Sequence, residues 1–266
     1  MAYRLLGCRC NRLLLAALLL VARTGMALDA ETARLVDLTH PFDDTTIYWP
    51  TARRFHLEPV AHGKTPGGWW YEANDFCAAE HGGTHLDAPI HFAERGWTAD
   101  EIPLERLRGP AVVVDVSARA AADRDLLVRV DDLRAHEAIH GRIPDGAIVL
   151  LRTGWSSRWP DATSYMGTAV PGDVAHLHFP GLSEEGARWL VTERHIHGVG
   201  IDTASIDRGQ SKDFRAHRVL TAANVAIFEN LADLESVTPR GGVFMGLPMK
   251  IRGGSGGPLR AVVMLP

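Results

Sequence analysis

The chain has 266 residues and a formal net charge of −4, from 28 Lys and Arg against 32 Asp and Glu. That length suits one large domain or two small ones, and 46% hydrophobic with 23% charged residues sets aside disordered, collagen-like and repetitive chains. The acidic balance also argues against nucleic acid and anionic membrane surfaces as partners.

The elements begin with a leader. Arg4, Arg9 and Arg12 precede an apolar run from Leu13 to Ala22, and Gly25-Met26-Ala27 follows with small residues. Basic, apolar, then small is the order of a signal peptide, so residues 1–27 are expected to direct export to the periplasm. The apolar run is shorter than the roughly 20 residues a membrane span needs, although a retained anchor is the alternative. Cleavage after Ala27 removes four Arg and no acid, leaving 24 basic and 32 acidic residues and a net charge of −8. The product would have no membrane segment, and Cys77 would be its single cysteine. With no intrachain disulfide, stability must come from packing, metal or oligomerisation.

Short β-branched runs then read as strands: Leu35–Leu38, Ala111–Val116, Ala147–Leu151, Gly198–Ile201, Val225–Phe228, Val243–Leu247 and Ala261–Leu265. Val130–His140 and Ser183–His195 read as helices, the second capped by Ser183 and striped by Ala187, Leu190 and Val191. Strands mixed with helices mean α/β or α+β, and no linker divides residues 28–266. Residues 40–110 are rich in Pro, Gly, His and Trp with little periodicity, which marks a functional stretch.

Inside that stretch lies His81-Gly-Gly-Thr-His85-Leu-Asp87-Ala-Pro-Ile-His91. Gly82, Gly83 and Pro89 argue against a helix. An extended Thr84–Asp87 puts His85 and Asp87 on one face, and the glycines let His81 converge on them. Imidazole and carboxylate together suit Zn²⁺, Mn²⁺ or Fe²⁺, and without a cysteine in the cluster an open catalytic site is expected over a closed structural one.

The pattern His-x-Gly-Thr-His-x-Asp-x-Pro-x-His resembles the signature of the metal-dependent cyclase-like hydrolases, which include isatin hydrolase and bacterial kynurenine formamidase. A second stretch, His217-Arg-Val-Leu-Thr-Ala-Ala-Asn-Val-Ala-Ile-Phe-Glu229, also resembles the family, so the likeness runs from about Leu35 to the C-terminus. The resemblance implies a single mixed β/α domain whose central, largely closed sheet is flanked by helices. It implies His81, His85 and Asp87 as metal ligands, His91 as general acid/base, and His217 and Glu229 as ligands of a second metal. One or two ions, Mn²⁺ or Zn²⁺, and a homo-oligomer, dimer or larger, are implied in the same way. Trp49 matches an aromatic of the substrate pocket, and Trp69, Trp70 and Phe76 offer a flat apolar wall for a bicyclic aromatic or else an interface.

The implied reaction is hydrolysis of an aromatic amide by a metal-activated water, with His91 moving the proton. The leader and the extra length around Thr65–Tyr71 and Ser205–Asp213 favour a cyclic amide such as isatin over the alternative, N-formylkynurenine. Gly253-Gly-Ser-Gly-Gly257 satisfies G-x-S-x-G, but no His or acid follows Ser255, so a serine hydrolase of the α/β type is set aside. Absence of H-E-x-x-H and of a P-loop removes two further classes. A non-catalytic periplasmic metal- or ligand-binding protein is the competing class, and a base beyond the ligand set distinguishes it.

Overall fold

The computed structural model describes residues 32–266, so the predicted leader lies outside the described residues. Twelve strands are described: β1 (Arg34–Asp37), β2 (His56–Lys64), β3 (Trp70–Cys77), β4 (His85–Asp87), β5 (Arg108–Asp115), β6 (Leu127–Val128), β7 (Ile148–Arg152), β8 (Gly181–Leu182), β9 (Gly198–Ile201), β10 (Ala226–Glu229), β11 (Val243–Pro248) and β12 (Gly256–Leu265). Five helices accompany them: α1 (Ser117–Ala122), α2 (Val130–His140), α3 (Ala162–Met166), α4 (Glu184–Arg194) and α5 (Arg215–Ala222).

The main sheet runs β1-β12-β11-β5-β7-β9-β10-β4, and β4 pairs back onto β12, which closes a mixed barrel of seven strands with β1 added along β12. Strands β5, β7, β9 and β10 are parallel, while β4, β11 and β12 pair antiparallel. The parallel strands read as unbroken apolar runs because both of their faces are covered. Ala111, Val113, Ile148, Leu150, Ala226 and Phe228 fill the barrel with Leu86 and Phe244. Their alternates Val112, Val114, Val149, Leu151 and Ile227 pack outward on Leu133 of α2, Leu190 of α4 and Leu220 of α5.

The expected single mixed domain with a closed sheet is therefore what the chain forms. Val130–His140 is helical as predicted, and Ser183 caps α4 by accepting from the Gly186 amide. Residues 40–110 are less irregular than expected. β2 and β3 form a hairpin with a bulge between Pro59 and Ala61. Most of it is exposed on both faces, so it carries no inward–outward alternation for sequence reasoning to detect.

Candidate metal centre

The signature segment turns at Gly83, whose φ of +57° and closeness to Phe42 leave no room for a side chain. The turn swings His81 back toward β4. There Leu86 points into the barrel, so His85 and Asp87 project from the other face. Glu229 on β10 lies opposite His85 in antiparallel register and shares that face. His217 comes from the first turn of α5, and Pro89 opens a single 3-10 turn, Pro89–His91, that brings His91 alongside.

Three imidazoles and two carboxylates meet. His81 Nδ1 lies 2.6 Å and His85 Nε2 3.1 Å from Asp87 Oδ1. His217 Nε2 lies 3.0 Å from Asp87 Oδ2 and 3.2 Å from Glu229 Oε1. The ligand atoms form two groups, His81/His85/Asp87 and Asp87/His217/Glu229, each within a 4.8 Å span and both containing Asp87.

Each imidazole spends its far nitrogen outward. His85 Nδ1–H donates to the Gly83 carbonyl at 2.9 Å, and His217 Nδ1–H donates to Asp207 at 2.7 Å. His81 Nε2–H donates to Ser255 Oγ at 2.8 Å, because that hydroxyl already donates to Glu80. These tautomers follow from the hydrogen-bond network, and they aim three lone pairs inward at two carboxylates. Lone pairs at such separations repel unless positive charge lies among them. The donor set therefore fits a divalent cation, and its outward hydrogen bonds are those that orient metal-bound histidines.

Burial pushes the Asp87 carboxyl up, but His81, His217 and His85 outweigh it and hold it well below the usual carboxylate range. Glu229 goes the other way, raised by burial and by Asp87. Burial lowers His85 and His217, yet the facing carboxylates raise both, His217 strongly. His91 has no carboxylate partner. Burial lowers it most; the nearby Asp87 charge raises it, but His81, His217 and His85 lower it again, which leaves it at about 4 and neutral at pH 7. Its ring stacks on His81 at 3.9 Å between centroids, and among the described residues no group hydrogen-bonds its ring nitrogens.

The site opens into a cleft of about 280 Å³. His81, His85, Asp87, His91, His217, Glu229 and Trp49 all line it, so seven of the predicted site residues come together. Tyr48, Phe92 and Phe214 complete an aromatic wall that the sequence reading missed. Trp69, Trp70 and Phe76 do not line the cleft within one chain. They lie on the hairpin, 64%, 57% and 55% exposed. Also missed were Asp207, Glu80 and Ser255, which hold the ligands. Asp207 accepts from the amides of Ala216 and His217 at the start of α5, a signal that becomes visible only once α5 is placed.

The Cyclase family model matches residues 36–208, and the chain belongs to this family. Isatin hydrolase of Roseibium aggregatum is 33% identical over 208 residues, covering 75% of this chain and 77% of the relative. Kynurenine formamidase of Salinibacter ruber is 29% identical over 238 residues, covering 86% and 96%. The solved structure of isatin hydrolase A from Ralstonia solanacearum superposes with a TM-score of 0.81 at 35% identity, covering 89% of this chain and 93% of that one. The chain is thus a hydrolase that acts on C–N bonds other than peptide bonds.

Proposed function

We propose that the chain hydrolyses an aromatic amide, with a cyclic amide such as isatin as the preferred substrate and a ring-opened acid as product. The observation that carries this reading is His91, a neutral imidazole outside the ligand set, facing an aromatic cleft beside that set. A pure metal carrier needs no such base. Similarity to isatin hydrolases supports the substrate class.

His81, His85 and Asp87 would hold a divalent ion, Mn²⁺ or Zn²⁺, and His217 and Glu229 would complete its shell or hold a second. A bound ion of this kind supplies Lewis acidity and brings the pKa of water toward neutrality. The chain's own residues do the rest. Trp49, Tyr48, Phe92 and Phe214 orient a flat ring and exclude bulk water. His91 takes a proton from the attacking water as oxygen joins the carbonyl carbon, then returns it to the nitrogen as the C–N bond breaks. An aryl nitrogen leaves as the weaker base, which suits an enzyme with one proton shuttle.

Cleavage of N-formylkynurenine is the second reading. It is favoured by the five-residue ligand set sharing Asp87 and by likeness across nearly all of a kynurenine formamidase. Assay of the metal-loaded protein on isatin and N-formylkynurenine, with and without chelator and with elemental analysis, separates the readings. Tight metal binding with neither substrate cleaved would leave only the carrier. The leader-like pattern of residues 1–27 supports export, and the exposed aromatic residues of the hairpin support association of copies.

A further inference from the structure

The glycine run 253–257 has no place in the chemistry above, yet it lies against the site. Ser255 Oγ is 2.8 Å from His81 Nε2, and His81 Nδ1 is 2.6 Å from Asp87. By position alone this is a Ser–His–Asp line, recognised by geometry and not by chain order. The direction of the hydrogen bonds reverses its meaning. Ser255 Oγ–H donates to Glu80 Oε2 at 2.6 Å, and the Ser255 amide donates to the same oxygen at 3.0 Å. A serine whose proton goes to Glu80 accepts from His81, whereas a nucleophile must donate to its histidine. Nor does Ser255 line the cleft.

The glycines explain how the loop comes so close. A Cβ on Gly256 would stand 2.6 Å from the His81 ring, and one on Gly254 would stand 2.9 Å from Glu80 Oε1. The loop is held in turn by backbone bonds, Ala88 N–H to the Ser255 carbonyl and Ala99 N–H to the Gly254 carbonyl, both at 2.9 Å. Asp100 accepts from the Gly253 amide as well.

We infer that Glu80 and Ser255 are positioning residues for a metal ligand: the chain Glu80–Ser255–His81 fixes the His81 proton on Nε2 and turns Nδ1 toward Asp87 and His85. Loss of the Glu80 acceptor frees the serine proton to point at Nε2, which drives the His81 proton onto the ligating nitrogen. This deepens the metal-centre reading and rests on it.

The test uses the full-length protein stripped of metal and titrated with Zn²⁺ alone by calorimetry, alongside thermal unfolding of each metal-free form. Ser255→Ala is expected to raise the Zn²⁺ dissociation constant about 10–100-fold, the usual effect of losing such an outer partner, and Ser255→Thr to stay near wild type. Glu80→Ala should act like Ser255→Ala, and the double variant should be no weaker than the worse single one, because both cut one chain. Long-range ¹⁵N–¹H spectra should assign the His81 proton to Nε2 in wild type. An unchanged dissociation constant in Ser255→Ala overturns the inference whatever its melting temperature. So does equal weakening in Ser255→Thr, or a fluorophosphonate adduct on Ser255, which would restore the nucleophile. A wild type that binds no Zn²⁺ would instead overturn the metal centre itself.

Discussion

The outer face of β4 and β10 and the β2–β3 hairpin break opposite rules of protein surfaces. The first buries charge: His85, Asp87 and Glu229, with His217 of α5 packed against them, are each at most 3% exposed. The second exposes apolar rings: Trp69, Trp70, Tyr71 and Phe76 are each more than half exposed. Buried charge is tolerated only where partners or metal satisfy it, and here every imidazole has a partner on its outer nitrogen. A cluster of exposed rings marks a surface that meets something. The donor set of the first region fits a divalent ion, and the rings of the second are left facing solvent, away from the cleft.

The largest effect is expected at Asp87, the carboxylate common to both ligand groups. Asp87→Ala should lose metal by elemental analysis and fall to background turnover, a larger loss than the roughly 10²–10⁴-fold that one acid/base group contributes. Full metal content in that variant would remove Asp87 from the ligand set. His91→Ala should keep its metal and lose turnover by about 10²–10⁴-fold. Equal activity would remove the proton role, and loss of metal would make His91 a ligand.

The same contrast explains what could be read in advance. His85 and Asp87 were legible because extended backbone puts alternate residues on one face. The buried strands were legible because Val112–Val114 and Ile148–Leu151 are apolar without interruption. Glu80, Ser255 and Asp207 were not. Ser255 reaches His81 across 174 residues, and no local pattern encodes such a contact. The hairpin escaped for the opposite reason. Its pairing is local, but it packs on so little of its own chain that no face needed to be apolar. The cluster was legible through motif spacing, while its support and its aromatic wall required the fold.

A third test addresses the hairpin. If Trp69 and Trp70 form an interface between copies, Trp69→Ser with Trp70→Ser should shift the light-scattering mass toward a single chain. Central aromatic anchors of interfaces contribute about 2–4 kcal/mol each, roughly 30- to 1000-fold in the dissociation constant. Turnover per chain should stay close to wild type, since neither ring lines the cleft. An unchanged mass with a raised KM would return both rings to substrate contact.

The smallest effect separates two kinds of buried histidine. His85 and His217 face carboxylates and are raised, whereas His40 is buried without one and is lowered to about 4. It stacks on Trp159 at 4.2 Å with the planes 7° apart. The unfolded chain, with an ordinary histidine near 6.5, binds the proton first. The stabilisation from neutral His40 is therefore complete above about 6.5 and is lost as pH falls toward about 4. Between pH 7 and pH 5 that amounts to about 2 kcal/mol from this one group. His40→Phe keeps a ring for the stack and cannot titrate. Urea unfolding of the two metal-free proteins at both pH values should show wild type losing about 2 kcal/mol more than His40→Phe. Equal losses would mean that His40 accepts its proton without cost, and the contrast between charged and uncharged burial would then hold only at the metal centre.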